Sequence, residues 1–209
     1  MSFLIIAFAV YAGIFVIFVP FFAYIFFKKK PSMIKLVSVI IVCLGLFILT
    51  GGLKEFNLGD GLTLITAMAV ALHILFADIY VNTKKIDIYA LSFQQFFFAG
   101  LLSLFLGIVS KAPLLIKQSS FPVIIFLAIF PTLSAFLIQN IAQKYASPVK
   151  VAIIFSMEPV FAAIFAWTLG NEMFILSKAF GGLLIFSGMI FSELQLLKSE
   201  KNNPTINNN

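Results

Sequence analysis

Seven long apolar runs, separated by short polar connections, make up almost the whole chain. Each run is close to the ~20 residues that a helix needs to cross ~30 Å of hydrocarbon. Strands of a membrane barrel alternate apolar and polar residues, whereas these runs are continuously apolar, so helices are favoured. The pattern predicts seven spans, at residues 3–27, 34–52, 59–81, 88–110, 121–143, 149–170 and 175–196.

The composition points to the same fold class. Hydrophobic residues make up 62% of the chain and charged residues 11%, whereas a soluble domain carries roughly 25% charged residues. The chain lacks the polar side chains for a wetted surface, so we predict an all-α membrane protein embedded in the lipid bilayer. Cys43 and His73 are the only residues of their types. The sequence therefore predicts no disulfide, no metal site and no cofactor.

The lysines indicate topology rather than nucleic-acid binding. They lie mostly in the short connections, where ten fall on one side of the predicted membrane and four on the other. The positive-inside rule then places the C-terminus in the cytoplasm and the N-terminus outside, in a multi-pass protein of the cytoplasmic membrane. An outside N-terminus directly before a span is unusual, and it suggests that further helices precede this chain. The lysine-rich side holds Lys28, Lys29, Lys30, Lys35, Lys84, Lys85, Lys144, Lys150, Lys198 and Lys201.

The first two spans resemble the last two. The sequence Val-Pro-Phe-Phe-Ala at 19–23 is similar to Glu-Pro-Val-Phe-Ala at 158–162, and each is followed by a span with a central glycine, Gly45 or Gly188. Chance similarity between apolar segments is the alternative. If the repeat is real, residues 1–54 are the last two helices of a first repeat and residues 55–198 a complete five-helix repeat. Residues 199–209 form a polar tail that we expect to be disordered.

The second half resembles a known transporter family. The residues that carry the resemblance are Gln-Asn-Ile-Ala-Gln-Lys-Tyr-Ala-Ser-Pro at 139–148, Ser-Met-Glu-Pro-Val-Phe-Ala-Ala at 156–163, Gly-Asn-Glu at 170–172, and the glycines that follow. They are similar to the C-terminal repeat of the EamA family of the drug/metabolite transporter superfamily. The resemblance implies ten helices in two inverted repeats and the movement of small metabolites, amino acids or drugs. This chain would then hold two plus five of the ten helices.

Glu158 is the most informative candidate residue. It lies near the middle of the sixth predicted span, where an ionised carboxylate must face the bundle interior, pair with another group or be protonated. Pro159 follows it and removes a backbone donor, which predicts a hinge beside the carboxylate. We interpret Glu158 as a binding or proton-coupling residue. A purely structural glutamate that fixes helix packing is the alternative.

Other polar residues inside the spans are candidates for lining a cavity. His73 shares a helix face with Thr66, and a histidine there can relay protons or simply hydrogen-bond a neighbouring helix. The amides in the fourth and fifth spans can contact solute or can join helices to one another; they are Gln94, Gln95, Gln139, Asn140 and Gln143. Asp78 is expected to meet Lys84, Lys85 or interfacial water.

Prolines and small residues predict hinges and close helix packing. Pro131 and Pro20 lie inside spans and predict kinks, as Pro159 does. Glycine and alanine at helix interfaces allow close approach of two main chains, which is the expected role of Gly45, Gly181, Gly188 and Ala162.

Together these features predict a transporter, and not an enzyme. The favoured function is export of a small metabolite or drug across the cytoplasmic membrane by alternating access, with a proton or another coupling ion. The alternative is a non-transporting fragment or a half-transporter that needs a partner chain or a second copy of itself. A seven-helix membrane enzyme or receptor is disfavoured, because no nucleophile motif and no mid-membrane lysine is found.

Overall fold

The computed structural model describes residues 15–28, 30–51, 58–111 and 117–202, and every regular element in these ranges is helical. This confirms the all-α fold. Residues 3–14 of the first predicted span and the tail from residue 203 lie outside the described residues. The helices are α1 (Phe15–Phe27), α2 (Met33–Thr50), α3 (Leu58–Asp78), α4 (Ile88–Val109), α5 (Phe121–Leu127), α6 (Ala135–Gln143), α7 (Pro148–Phe155), α8 (Glu158–Thr168) and α9 (Leu176–Asn202).

Seven apolar helical stretches correspond to the predicted spans within the described ranges. Four are long enough and apolar enough to cross a membrane, and three further apolar helices are shorter. Length and composition thus agree with a multi-pass membrane protein. The four long stretches are Gly61–Thr83, Ile88–Val109, Gln118–Gln143 and Pro148–Thr168, and the shorter ones are Phe15–Phe27, Met33–Leu49 and Leu176–Ser192.

The fifth and sixth spans are not continuous α-helices. In the fifth span a π-helical segment, Ala128–Ser134, separates α5 from α6 and contains Pro131. In the sixth span α7 ends at Phe155 and α8 begins at Glu158. A second π-helical segment, Ile79–Thr83, ends the third span. These irregular segments occur where proline removes a donor or where a wider turn is formed, and such segments are frequent at functional sites.

The chain divides into two compact units. The first unit contains α1, α2, the part of α3 up to Leu75, and α7 to α9. Its core consists of valine, leucine, isoleucine and alanine side chains together with Phe15 and Met157. Lys35 at the start of α2 donates a 2.8 Å hydrogen bond to the Ser147 hydroxyl, immediately before α7. The second unit comprises residues 76–146 and contains α4, α5 and α6.

Helices α2 and α9 pack antiparallel in the first unit, and glycines lie where their main chains are closest. A Cβ added to Gly45 would lie 2.7 Å from the Gly181 carbonyl oxygen, and one added to Gly188 would lie 3.1 Å from the Ser38 carbonyl oxygen. A constant sequence offset relates Ser38 to Gly181 and Gly45 to Gly188. If α2 and α9 exchange places, the Gly45–Gly181 contact therefore becomes the Gly188–Ser38 contact. A two-fold axis between the two helices would produce this correspondence.

Candidate functional site

Glu158 lies at the break between the two halves of the sixth span. The span runs from Pro148 to Thr168, so its middle coincides with the carboxylate. The side chain of Glu158 is exposed on the first unit, whereas Ser156 and Met157, which form the break, are buried. A carboxylate at this depth in a bilayer must be reached by water, by a counter-ion or by another polar group.

The break leaves main-chain carbonyl groups without their usual donors. In an uninterrupted helix the Phe155 carbonyl would accept from residue 159, but Pro159 has no N–H. The Ser156 carbonyl would accept from Val160, whose N–H instead donates to the Met157 carbonyl at 3.0 Å. Among the described residues no hydrogen bond to the Ser156 carbonyl is found. The oxygens freed at the break thus lie within three residues of a carboxylate.

Hydrogen bonds from the residues of the break to the end of α7 fix the shape of the break. The Ser156 N–H donates to the Ala152 carbonyl at 3.1 Å, and its hydroxyl donates to the Ile153 carbonyl at 2.5 Å. The Met157 N–H donates to the Ile154 carbonyl at 3.0 Å. The last carbonyls of α7 before Phe155 are therefore satisfied, and the break has a defined geometry rather than a frayed end.

His73 is the other candidate in the first unit. It is half-buried in α3, seven residues from Thr66 on the same helix, whose hydroxyl donates to the Leu62 carbonyl at 3.1 Å. Thr66 thus satisfies its donor within its own helix, so it offers only acceptor capacity to a neighbour. Pro20 is buried within α1 and Ala162 is half-buried in α8.

The amide candidates belong to the second unit and form a buried polar cluster. Asn140 is completely buried and its side-chain nitrogen donates to the Ser92 hydroxyl at 2.9 Å and to the Gln95 side-chain oxygen at 3.0 Å. These bonds join α6 to α4. Gln139 is also buried, whereas Gln94 is exposed. Of the two adjacent candidate glutamines, the cluster therefore uses Gln95 and not Gln94.

Asn82 is a polar residue that the sequence did not single out. Its side-chain nitrogen donates to the Asp78 carboxylate and to the Gln143 main-chain carbonyl, both at 2.8 Å. It therefore ties the π-helical segment after α3 to the C-terminus of α6, where a helix leaves carbonyls unpaired. The signal that could have identified it is an amide one helical turn after a mid-chain acid.

A cleft of about 460 Å³ lies between α4 and the fifth span in the second unit. Pro131 lies within this part of the fifth span, where the hydroxyls of Thr132 and Ser134 donate to carbonyls five residues back, at 2.9 and 2.8 Å. These side-chain hydrogen bonds stabilise the π-helical segment that contains Pro131. The cleft is lined by Tyr89, Ser92, Phe93, Phe96, Ala128, Thr132, Leu133 and Leu137.

Comparison with known proteins assigns the family. The model of the EamA-like transporter family matches residues 57–194, which is more than half of the chain. The chain belongs to the EamA-like transporter family. It is also 25% identical over 182 residues to an uncharacterized transporter of Archaeoglobus fulgidus, and this match covers 87% of the chain and 58% of the relative.

Membership of the EamA-like transporter family confirms the resemblance and the general prediction of a membrane transporter. The match with the family includes both halves of the broken sixth span and the buried amides of the second unit. The chain spans less than two thirds of the length of the archaeal transporter that it matches. What the whole protein transports is therefore a matter of proposal.

Proposed function

We propose that this protein moves a small metabolite or drug out of the cell across the cytoplasmic membrane by alternating access. The observation that carries the proposal is an exposed carboxylate, Glu158, at a helix break in the middle of a membrane span. Discontinuous helices at the bilayer midplane are the usual place for solute and coupling-ion sites in secondary transporters. Membership of a transporter family supports the same function.

Glu158 would be the coupling or polar gating group, and Pro159 the hinge that keeps the two half-helices separate. In the second unit Gln139 and Asn140 would contribute polar groups to the solute path, and Gln94 would line it. Pro131 would act as a hinge in the fifth span. His73 would serve as a proton relay or as an additional solute contact. We further propose that the chain holds the last two helices of one repeat and the five helices of a second, inverted repeat. The Gly45–Gly181 and Gly188–Ser38 contacts, which correspond to each other when α2 and α9 are exchanged, support this arrangement.

Transport assays in proteoliposomes test the coupling role. Vesicles containing the purified chain are given an imposed pH gradient, and accumulation of a panel of radiolabelled amino acids and of ethidium is measured. We expect gradient-driven accumulation of at least one compound, abolished by Glu158→Gln and retained by Glu172→Gln, which alters a carboxylate in the connection before α9. Unchanged pH-dependent transport in Glu158→Gln would show that the coupling role is wrong.

The alternative is a half-transporter that works with a partner chain or as a homodimer. It is favoured by the exposure of Glu158 on the first unit, because a mid-membrane carboxylate needs a polar covering. Light scattering in detergent, combined with the vesicle assay, distinguishes the two cases. A monomer that transports alone supports the first proposal, whereas a dimer, or a chain that becomes active only with an added partner, supports the second.

The proposed orientation places the C-terminus in the cytoplasm. It rests on the unequal distribution of lysines between the two sides of the membrane. Fusion of alkaline phosphatase or of a fluorescent protein to the C-terminus tests it, because only the fluorescent protein is active on the cytoplasmic side. An active phosphatase fusion at the C-terminus would reverse the proposed topology.

A further inference from the structure

Three oxygen-bearing groups lie at the helix break in the sixth span. The Ser156 carbonyl receives no hydrogen bond from the described residues, and the Phe155 carbonyl lacks its usual donor because Pro159 has no N–H. The third group is the Glu158 carboxylate. In hydrocarbon a carbonyl group without a hydrogen-bond donor is strongly unfavourable. An arrangement of this kind is stable in a membrane only if something supplies the missing donors or positive charge.

The electrostatics of the break determine whether it attracts a positively or a negatively charged ligand. Helix α7 ends at Phe155 and directs the negative end of its dipole towards the break. Glu158 lies in the first turn of α8, where its carboxylate offsets the positive end of that helix dipole. Freed carbonyls, a negative helix end and a carboxylate together attract a positive charge. An anion would meet like charge here, and a neutral apolar group would leave the oxygens unpaired.

We propose that the break between α7 and α8 binds a monovalent cation, either Na⁺ or the ammonium group of a solute, through the carbonyl oxygens of Phe155 and Ser156 and the carboxylate of Glu158. This deepens the proposed function, on which it rests for the role of Glu158, because it names the ligand chemistry and adds two main-chain ligands. Unwound carbonyls and the C-terminal ends of half-helices are suitable ligands for such cations. Water or solute atoms complete the coordination.

This arrangement gives Pro159 a specific role, because proline leaves the Phe155 carbonyl available for the cation. A residue with an N–H at 159 could donate to the Phe155 carbonyl and compete with the cation for that oxygen. Pro159→Ala should therefore weaken cation binding although the carboxylate is retained. A structural glutamate that only fixes packing does not predict this effect, so the proline variant separates the two interpretations.

Direct binding at equilibrium tests the proposal. The purified full chain in detergent is titrated with ²²Na⁺ in one arm and with ¹⁴C-methylammonium in the other, and bound label is measured by scintillation proximity. We expect saturable binding in at least one arm, and the arm that saturates identifies the source of the cation. Choline, which is bulky and has no N–H donor, should not displace the label.

Four variants complete the test. Glu158→Gln should weaken binding at least tenfold and Pro159→Ala by about threefold to tenfold. The matched controls Glu172→Gln and Pro148→Ala, which alter a carboxylate and a proline away from the break, should bind as the unmodified chain does. Circular dichroism and elution volume establish that each variant is folded, and Glu158→Gln alone decides the outcome if Pro159→Ala does not fold.

Two results would overturn the proposal: absence of saturable binding in both arms, or equal binding by Glu158→Gln and the unmodified chain. Because the measurement needs no transport, intact binding in a chain that fails to transport contradicts the proposed function and leaves the cation site standing.

Discussion

Gly45 of α2 and Gly181 of α9 lie so close together that neither position has room for a side chain. A Cβ on Gly45 would lie 2.7 Å from the Gly181 carbonyl oxygen, and a Cβ on Gly181 would lie 2.7 Å from the Gly45 carbonyl oxygen. Both obstacles are main-chain atoms, which cannot move aside as a flexible side chain can. The close approach of the two helices therefore depends on glycine at both positions.

Gly45→Ala should destabilise the first unit. The added methyl group forces α2 away from α9, and overpacking of this kind costs about 1–3 kcal/mol. Gly100→Ala in α4 is the matched control, because nothing lies within 4 Å of a Cβ at that position, and alanine is the better helix former. Thermal unfolding in detergent should show a lower midpoint for Gly45→Ala only. Equal midpoints for the two variants would contradict the tight packing.

The sequence predicts the spans well because hydropathy over some twenty residues is a strong signal. The prolines predict interruptions at Pro131 and Pro159, but not the form that each interruption takes. Pro131 and Pro159 look alike in sequence, yet Pro131 lies within a π-helical segment and Pro159 begins a new helix. The outcome depends on which neighbouring groups stabilise the interrupted turn. Near Pro131 the Thr132 and Ser134 hydroxyls donate to the Leu127 and Ile129 carbonyls.

Pairs of distant polar residues are equally hard to predict. The amides of the fourth and sixth helices were visible as candidates, but Gln94 and Gln95 differ by about 100° around the helix axis. Only the packing of α4 against α6 decides that Gln95 meets Asn140. Asn82 escaped notice for the same reason, because its partner Gln143 is distant in sequence.

Asn140→Ala should destabilise the second unit by about 1–3 kcal/mol, because the buried Ser92 hydroxyl and the half-buried Gln95 side-chain oxygen both lose a donor. Gln94→Ala is the control, because Gln94 is next to Gln95 in the sequence but its side chain is exposed. The unfolding midpoint of Gln95→Ala should fall between the two. If Asn140→Ala and Gln94→Ala unfold alike, the cluster does not stabilise the fold.

Asn82→Leu should loosen the attachment of α6 to the segment after α3. The substitution removes the donor to the Asp78 carboxylate, whose residue is only 7% exposed, and the donor to the Gln143 carbonyl. A cost of about 1–3 kcal/mol is expected from the unsatisfied groups. Hydrogen exchange measured by mass spectrometry should show faster exchange at the C-terminus of α6.

Thr83→Val provides the comparison for Asn82→Leu. Thr83 is the next residue in the same π-helical segment and is exposed, so its replacement tests the effect of an apolar substitution without the loss of a bridging amide. Exchange rates for α6 that match those of the unmodified chain are expected. Faster exchange in both variants would attribute the effect to the segment and not to Asn82.

Glu158→Gln should separate function from folding. The carboxylate is exposed and its contribution to stability is limited to its position in the first turn of α8, worth about 0.3–1 kcal/mol. The unfolding midpoint should therefore fall less than in Asn140→Ala, while gradient-driven transport is lost. A packing role would give the opposite pattern, with a large loss of stability and transport reduced only in proportion to the folded fraction. Parallel measurement of unfolding and transport on the same preparation distinguishes these patterns.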